Sequence, residues 1–284
     1  MKTFCNISAE IKNDINTRQK MTKKMNIREL TEIAINAAIK AGKEILNVYY
    51  NFDFGVEYKS DNSPLTIADK RAHDIIAKLL KETEIPVLSE EGKLISYDER
   101  KTWKLFWLVD PLDGTKEFIK RNDEFTVNIA LIEGNSPVAG VVYVPVTKEL
   151  YWANSGGSFT AIVEIENESL INVRKLPLMI TKEHFVVAGS KSHMNSETAT
   201  YIHSLDTKGK PVEIISKGSS LKICMVAAGE ADVYPRLAPT MEWDTAAAHA
   251  VVKFAGRNIF QFEKNNEPLV YNKENLLNPW FVVK

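Results

Sequence analysis

Residues 105–115 read Leu105-Phe106-Trp107-Leu108-Val109-Asp110-Pro111-Leu112-Asp113-Gly114-Thr115, and the reading of this stretch decides the fold. The apolar run Leu105 to Val109 has strand length and reads as a buried strand. It ends abruptly in two carboxylates three positions apart, followed by Gly-Thr. A strand that delivers acids at its C-terminal tip, just before a tight turn, is a common way to build a metal and phosphate site in an α/β protein. The same residue types also make an ordinary Asp-Pro/Asp-Gly turn, so the stretch alone leaves both readings open.

The composition narrows the function classes. The chain has 284 residues, 44% hydrophobic and 26% charged, enough for one large domain or two smaller ones. With 36 basic and 37 acidic residues the formal net charge is -1, so a nucleic-acid partner is not expected. Phosphate recognition must come from a few placed cations. Cys5 and Cys224 are the only cysteines, without zinc or disulfide spacing, which fits a reducing compartment. No apolar run approaches the roughly 20 residues of a membrane span, and the N-terminus lacks a secretory apolar core. A cytoplasmic enzyme is expected, at most peripheral at the inner face of the cell membrane.

Along the chain, residues 1–25 form a polar, Lys-rich arm. Asn26 and Glu29 have capping-box spacing and open a helix that runs to about Tyr50. Thr66 opens a second helix, in which Asp69 reads locally as a cap. Pro86-Val87-Leu88 is a short strand that ends in Ser89-Glu90-Glu91-Gly92, a second apolar run tipped with acids. Strands at 125–132, 138–144, 150–153 and 158–163 then form an antiparallel meander. From about residue 175 strands (185–188, 212–215, 232–234, 258–262) alternate with helices (196–205, 219–228, 245–254). The fold class is α/β, with an α+β unit at 26–170 that carries the metal-binding loop. An α/β unit at 171–284 completes the active site.

Several familiar chemistries are excluded. There is no Gly-rich dinucleotide fingerprint, no phosphate-binding P-loop and no HExxH pairing among His73, His184, His193, His203 and His249. Ser219-Ser220-Leu221-Lys222 matches Ser-x-x-Lys but lacks its companion motifs; it reads either as a Ser cap or as an anion site at a helix N-terminus. Pro111 stands two positions before Asp113, where aspartyl-phosphate phosphatases carry their nucleophile, so a metal site is the better reading. Asp110 at the strand tip can bridge two Mg²⁺ ions, the Leu112 carbonyl adds a hard oxygen, and Asp113 binds the second ion. Two such ions about 3.5–4 Å apart clamp the attacking and leaving oxygens of a phosphoryl transfer. Gly114, Thr115 and Lys116 would present backbone N–H groups to the phosphate. Asp244, just before an apolar helix, can be a cap, a ligand or both.

Taken together, Asp110-Pro111-Leu112-Asp113-Gly114-Thr115, Trp243-Asp244-Thr245-Ala246-Ala247 and Ser89-Glu90-Glu91 resemble the ordered signatures of the inositol monophosphatase superfamily. Within it, residues 107–128, 61–69, 218–222 and 231–239 are similar to the 3'(2'),5'-bisphosphate nucleotidase branch. The resemblance covers about residues 26–284. It implies the layered αβαβα sandwich of the inositol monophosphatase and fructose-1,6-bisphosphatase type, two or three Mg²⁺ ions and sensitivity to Li⁺. It implies that Glu90, Asp110, the Leu112 carbonyl, Asp113 and Asp244 hold the metals. Glu90 and Thr115 would orient water, with Asp69 and Glu91 supporting a third ion. The implied substrate is a small bisphosphorylated nucleotide, 3'-phosphoadenosine 5'-phosphate, hydrolysed to AMP and phosphate in sulfur assimilation and nucleotide recycling. By the same resemblance Ser219, Lys222 and Arg236 contact the nucleotide, with Asp113, Gly114, Thr115, Lys116 and Asp244 also on the substrate side. Asn122-Asp123 departs from the branch's usual Asn-Gly, and the extra charge is expected to weaken anion attraction nearby. The alternatives are a phosphatase for inositol monophosphate or another sugar phosphate, and a sensor that binds without turnover. Monomer and homodimer both remain open.

Overall fold

The computed structural model describes residues 25–51, 57–58, 64–65, 67–189, 195–264 and 267–284. Residues 1–24, Asp61-Asn62-Ser63, Thr66 and His193 lie outside the described residues. Helix α1 (Ile27–Asn51) starts as its sequence requires. Asn26 Oδ1 accepts the Glu29 N–H at 3.0 Å, and Glu29 Oε2 accepts the Asn26 N–H at 2.8 Å. Leu30, Ala34, Ala37, Ala41, Ile45 and Val48 recur at helical spacing and are buried. After the short antiparallel pair β1 (Glu57–Tyr58) and β2 (Pro64–Leu65), α2 (Ile67–Leu80) packs beside α1.

Both helices cover one face of a seven-stranded sheet. Its strands, in spatial and chain order, are β3 (Val87–Ser89), β4 (Leu105–Asp113), β5 (Thr126–Glu133), β6 (Ser136–Val144), β7 (Glu149–Asn154), β8 (Gly157–Glu164) and β9 (Ser169–Lys175). Only β3–β4 is parallel; the other pairs are antiparallel. Because side chains alternate across a strand, β4 feeds two cores: Trp107 and Val109 pack towards α1 and α2, Phe106 and Leu108 towards the opposite face. That double burial explains why β4 reads as a continuous apolar run.

The opposite face is covered by α6 (Leu221–Ala228) and α7 (Glu242–Phe254). Helix α7 lies so close to β6 that a Cβ on Gly140 would collide with the Ala247 carbonyl and stand 2.8 Å from the Ala250 methyl. Glycine on the strand and alanines on the helix are what allow that approach. Beyond this helix layer lie the parallel pair β10 (Phe185–Gly189) and β11 (Val212–Ser216), and the three-stranded sheet β12 (Tyr234–Arg236), β14 (Phe281–Val283), β13 (Ile259–Gln261). Helix α5 (Ser196–His203) closes the outside, its Ile202 packing on Val187, Val233 and Val282. The layers therefore run αβαβα. Two short helices, α3 (Tyr97–Arg100) and α4 (Thr115–Lys120), flank β4.

Several elements differ from the sequence reading, which has no β1, β2, α3 or α4. Strand β9 was not expected and runs through residue 170, so the large sheet extends to Lys175. Strand β14, three residues long, was also not expected. Helix α7 begins at Glu242, which places Asp244 inside its first turn.

Candidate active site

Strands β3 and β4 run parallel, so their C-terminal tips deliver acids to one edge. Glu90 follows β3 directly and donates its N–H to the Val109 carbonyl at 3.1 Å. On β4 the register shifts between Asp110 and Asp113. Within that irregularity Asp110 Oδ1 accepts the Leu112 N–H at 3.1 Å, so the tight turn and the acidic site are one object. Gly114, at φ 92, turns the chain into α4, and the Thr115 hydroxyl donates to the Leu112 carbonyl at 3.4 Å. Asp244 arrives from α7 and is both a cap and a cluster member. Its Oδ2 accepts the Met241 N–H at 2.8 Å, while carboxylate oxygens of Glu90, Asp110 and Asp244 all lie within 4.8 Å of one another.

Three carboxylates this close are unfavourable by themselves. At an effective dielectric near 20, each pair at that spacing repels by about 3 kcal/mol. Burial pushes the Asp110 carboxyl well above the usual range, and Glu90, Asp113, Asp244 and Asp69 push it further. Burial does the same to Asp244, with Asp113 adding and the Met241 N–H opposing. Asp113 is also raised by burial, against the lowering pull of the Ser219 hydroxyl, Lys222 and the Ser220 N–H. A divalent cation reverses the sign of these interactions, and an all-oxygen donor set fits a hard ion such as Mg²⁺. The residues present therefore fit the metal that the resemblance implies.

Asp113 joins this acidic cluster to a second, cationic space. The loop before α6 lies against it: the Ser219 hydroxyl donates to Asp113 Oδ2, as does the Ser220 N–H at 2.8 Å. Gly218 is tight here, since a Cβ would stand 2.7 Å from the Glu124 carbonyl. The structure departs from the cap reading of Ser219-Ser220. Ser220 makes no side-chain cap, and its N–H at the helix start faces the protein's own carboxylate. Lys222 is buried, donates to the carbonyls of Lys217 (2.7 Å) and Ser219 (2.9 Å), and lies 5.5 Å from the Tyr234 ring. Burial lowers its ammonium to about 8, with Asp113 pulling the other way.

Two cavities meet at this point. One, about 360 Å³, is walled by Glu90, Asp110, Leu112, Gly114 and Thr115. The other, about 340 Å³, is walled by Lys217, Ser219, Lys222, Tyr234 and Arg236. Asp113, Lys116, Glu117 and Asp244 line both. Asp69 is buried in the first turn of α2, outside both walls but near enough to raise Asp110. Glu91 belongs to neither wall nor to the three-carboxylate cluster.

Thr126 and Asn128 are absent from the sequence reading, although both fall inside segment 107–128, which carries the family resemblance. The polar Thr126 and Asn128 in an otherwise apolar strand were the available signal. The expectation for Asp123 needs correction. Its φ of 67 explains why glycine suits the position. Its carboxylate accepts the Tyr49 hydroxyl at 2.7 Å, Arg121 stands 5.2 Å from the same ring, and Asp123 lines neither cavity.

Comparison with known proteins agrees with this geometry. The model of the Inositol monophosphatase family matches residues 26–279. The chain belongs to the inositol monophosphatase family. Among curated relatives in that family it is similar to the 3'(2'),5'-bisphosphate nucleotidase CysQ of Salmonella typhimurium, 42% identical over 259 residues, covering 89% of this chain and 99% of that protein. Among solved structures it is similar to CysQ from Bacteroides thetaiotaomicron, described as a bacterial member of the inositol monophosphatase family. That match has 50% identity, a TM-score of 0.80 and coverage of 91% and 97% of the two chains. A more distant family fold is the extragenic suppressor protein SuhB of Bartonella henselae, with 27% identity and a TM-score of 0.67 over 88% of this chain and 93% of that one.

Proposed function

We propose that this protein is a Mg²⁺-dependent 3'(2'),5'-bisphosphate nucleotidase that hydrolyses the 3'-phosphate of 3'-phosphoadenosine 5'-phosphate to AMP and phosphate. The observation that carries the reading is the pair of adjoining cavities, one acidic and one cationic, with Asp113 and Asp244 in their common wall. The similarity to curated bisphosphate nucleotidases over nearly the whole chain supports it. Glu90, Asp110, Asp113, Asp244 and the Leu112 carbonyl would hold the Mg²⁺ ions, two or three in number, with Asp69 and Glu91 supporting the third. When bound, Mg²⁺ lowers the pKa of water and offsets charge on the phosphoryl oxygens.

The protein's own groups then do the positioning. Glu90 and the Thr115 hydroxyl orient the water that attacks phosphorus opposite the ester oxygen. Backbone N–H groups from Gly114 to Lys116 face the reacting phosphate. Lys116, Lys222 and Arg236 attract the second phosphate, and Ser219 contacts the nucleotide. The bond that breaks joins phosphorus to the 3'-oxygen, which leaves with a proton. Pro111 occupies the position a carboxylate nucleophile would need, so phosphorus passes directly to water.

The units 26–170 and 171–284 are proposed to meet at this cleft. Among the described residues no helix is long and apolar enough to cross a membrane; a cytoplasmic site of action is part of the proposal. The test is phosphate release from 3'-phosphoadenosine 5'-phosphate with Mg²⁺, with EDTA, and with Mg²⁺ plus Li⁺. Release only with Mg²⁺, suppressed by Li⁺, is expected; a trapped phospho-aspartate overturns the mechanism.

A further inference from the structure

Asp113 is held from behind by two residues that line neither cavity. Thr126 and Asn128, on β5, are 0% and 1% exposed in a strand whose other buried side chains are apolar, apart from these two. Buried polar side chains require partners, and theirs all converge on Asp113 and its loop. The Thr126 hydroxyl lies 2.6 Å from Ser219 Oγ, 3.0 Å from Ser220 Oγ and 3.2 Å from Asn128 Oδ1. The Ser220 hydroxyl donates to Asn128 Oδ1 at 2.9 Å, and Asn128 Nδ2 points at Asp113 Oδ2 from 3.4 Å.

The proton count gives this network a direction. An ionised carboxylate only accepts, so the single Ser219 hydroxyl proton goes to Asp113 Oδ2. Ser219 then has only lone pairs left for Thr126, which must be the donor in their 2.6 Å contact. Asn128 takes the Ser220 proton on its oxygen, which leaves its NH₂ as the group facing Asp113. The polar hydrogens of β5 and of the 218–220 loop thus run towards one oxygen, Asp113 Oδ2. Three donors surround that oxygen, and the other carboxylate oxygen is the one left for a cation.

We propose that Thr126 and Asn128 are positioning residues for Asp113. They lock the Ser219-Ser220 loop onto Oδ2, which leaves the second carboxylate oxygen as the one that would face a cation. The loop that walls the cationic cavity and the ligand that walls the acidic one are therefore a single hydrogen-bonded unit. This inference rests on the metal-site reading above, and its test separates the two.

Mg²⁺ affinity is measured by calorimetry without substrate, alongside thermal unfolding in EDTA, for the wild type, Thr126→Val, Thr126→Ser and Ser220→Ala. Partners standing behind a metal ligand typically change affinity by about 10–100-fold when removed. Thr126→Val preserves shape and removes the hydroxyl; it is expected to bind Mg²⁺ at least about tenfold more weakly. Thr126→Ser keeps the hydroxyl and should return affinity to within about twofold of the wild type, a rescue that mere packing would not produce. Should Thr126→Val fail to fold, Ser220→Ala decides, since it keeps the N–H bond to Asp113 and deletes the hydroxyl that meets Asn128 and Thr126. A folded Thr126→Val or Ser220→Ala with wild-type Mg²⁺ affinity overturns the proposal. A wild type that binds no Mg²⁺ overturns the metal reading beneath it.

Discussion

Replacing Asp113 by Asn separates the architecture of the site from its charge. The Ser219 hydroxyl, the Ser220 N–H and the Asn128 amide all point at Asp113 Oδ2. An Asn at 113 must therefore place its carbonyl oxygen among these donors, which leaves its NH₂ facing the cations. Two terms oppose each other in stability. Bonds to a charged acceptor contribute about 1.5–3 kcal/mol and bonds to a neutral one about 1, so the variant loses some hydrogen-bond strength. Against this, the Asp113 carboxyl is pushed upward on balance, which means the metal-free fold prefers a neutral group there. Asp113→Asn is therefore expected to stay folded in EDTA, without a large drop in unfolding temperature. Catalysis has no such compensation, because a negative oxygen becomes a positive hydrogen edge against the metal. A loss of about 4 kcal/mol of transition-state stabilisation corresponds to a drop of about 10³ in kcat/KM. Phosphate release and thermal unfolding, with Mg²⁺ and with EDTA, measure both halves. A variant that keeps more than about a tenth of wild-type kcat/KM refutes the assignment of Asp113 as a metal ligand. One that unfolds in EDTA refutes the hydrogen-bond argument.

Three further outcomes follow from the same geometry. Asp110 and Asp244 have carboxyls raised above 3.8, so their contribution to the metal-free fold is complete below that value and is lost as pH rises through the raised range. The unfolding temperature in EDTA should fall on going from acid to neutral pH, and the gain from added Mg²⁺ should grow over the same interval; a gain that is flat with pH contradicts this. Lys222, lowered to about 8 by burial, should lose its charge as pH rises through that value. KM for the bisphosphate should then rise above pH 8 in the wild type but show no such rise in Lys222→Met, which has a high KM throughout. Gly140→Ala drives a methyl into the Ala247 carbonyl. Overpacking of that kind costs about 1–3 kcal/mol, so calorimetry should show an unfolding temperature lower by about 2–12 °C.

The features legible in the sequence were those set by local pattern. Leu105 to Val109 announced a strand because both of its faces are buried, and Asn26 with Glu29 announced a helix start because a capping box is a four-residue event. Strand β9 escaped notice because it is an edge: most of its residues are exposed, so no apolar alternation marks it. Strand β14 is too short to carry a period. The acids at 90, 110, 113 and 244 were legible as motifs, and the fold brings them together because β3 and β4 are parallel neighbours and α7 crosses their edge. The purpose of Ser219-Ser220 was not legible. Its decisive partner, the Asp113 carboxylate, stands 107 residues away from Ser220, and local sequence offers only cap or anion site. Asp123 shows the same limit: a charge beside cations suggested repulsion, whereas Tyr49, 74 residues away, is its hydrogen-bond partner.

The central claim is that one cleft joins a metal centre to a cationic cavity suited to a second phosphate. Its most direct test is kcat/KM with Mg²⁺ for 3'-phosphoadenosine 5'-phosphate and inositol 1-phosphate, in the wild type and in Arg236→Met. A preference of about 100-fold or more for the bisphosphate, the equivalent of about 2.7 kcal/mol, is expected in the wild type and should shrink in the variant. Equal or faster hydrolysis of inositol 1-phosphate, with Arg236→Met unchanged on both substrates, would contradict it.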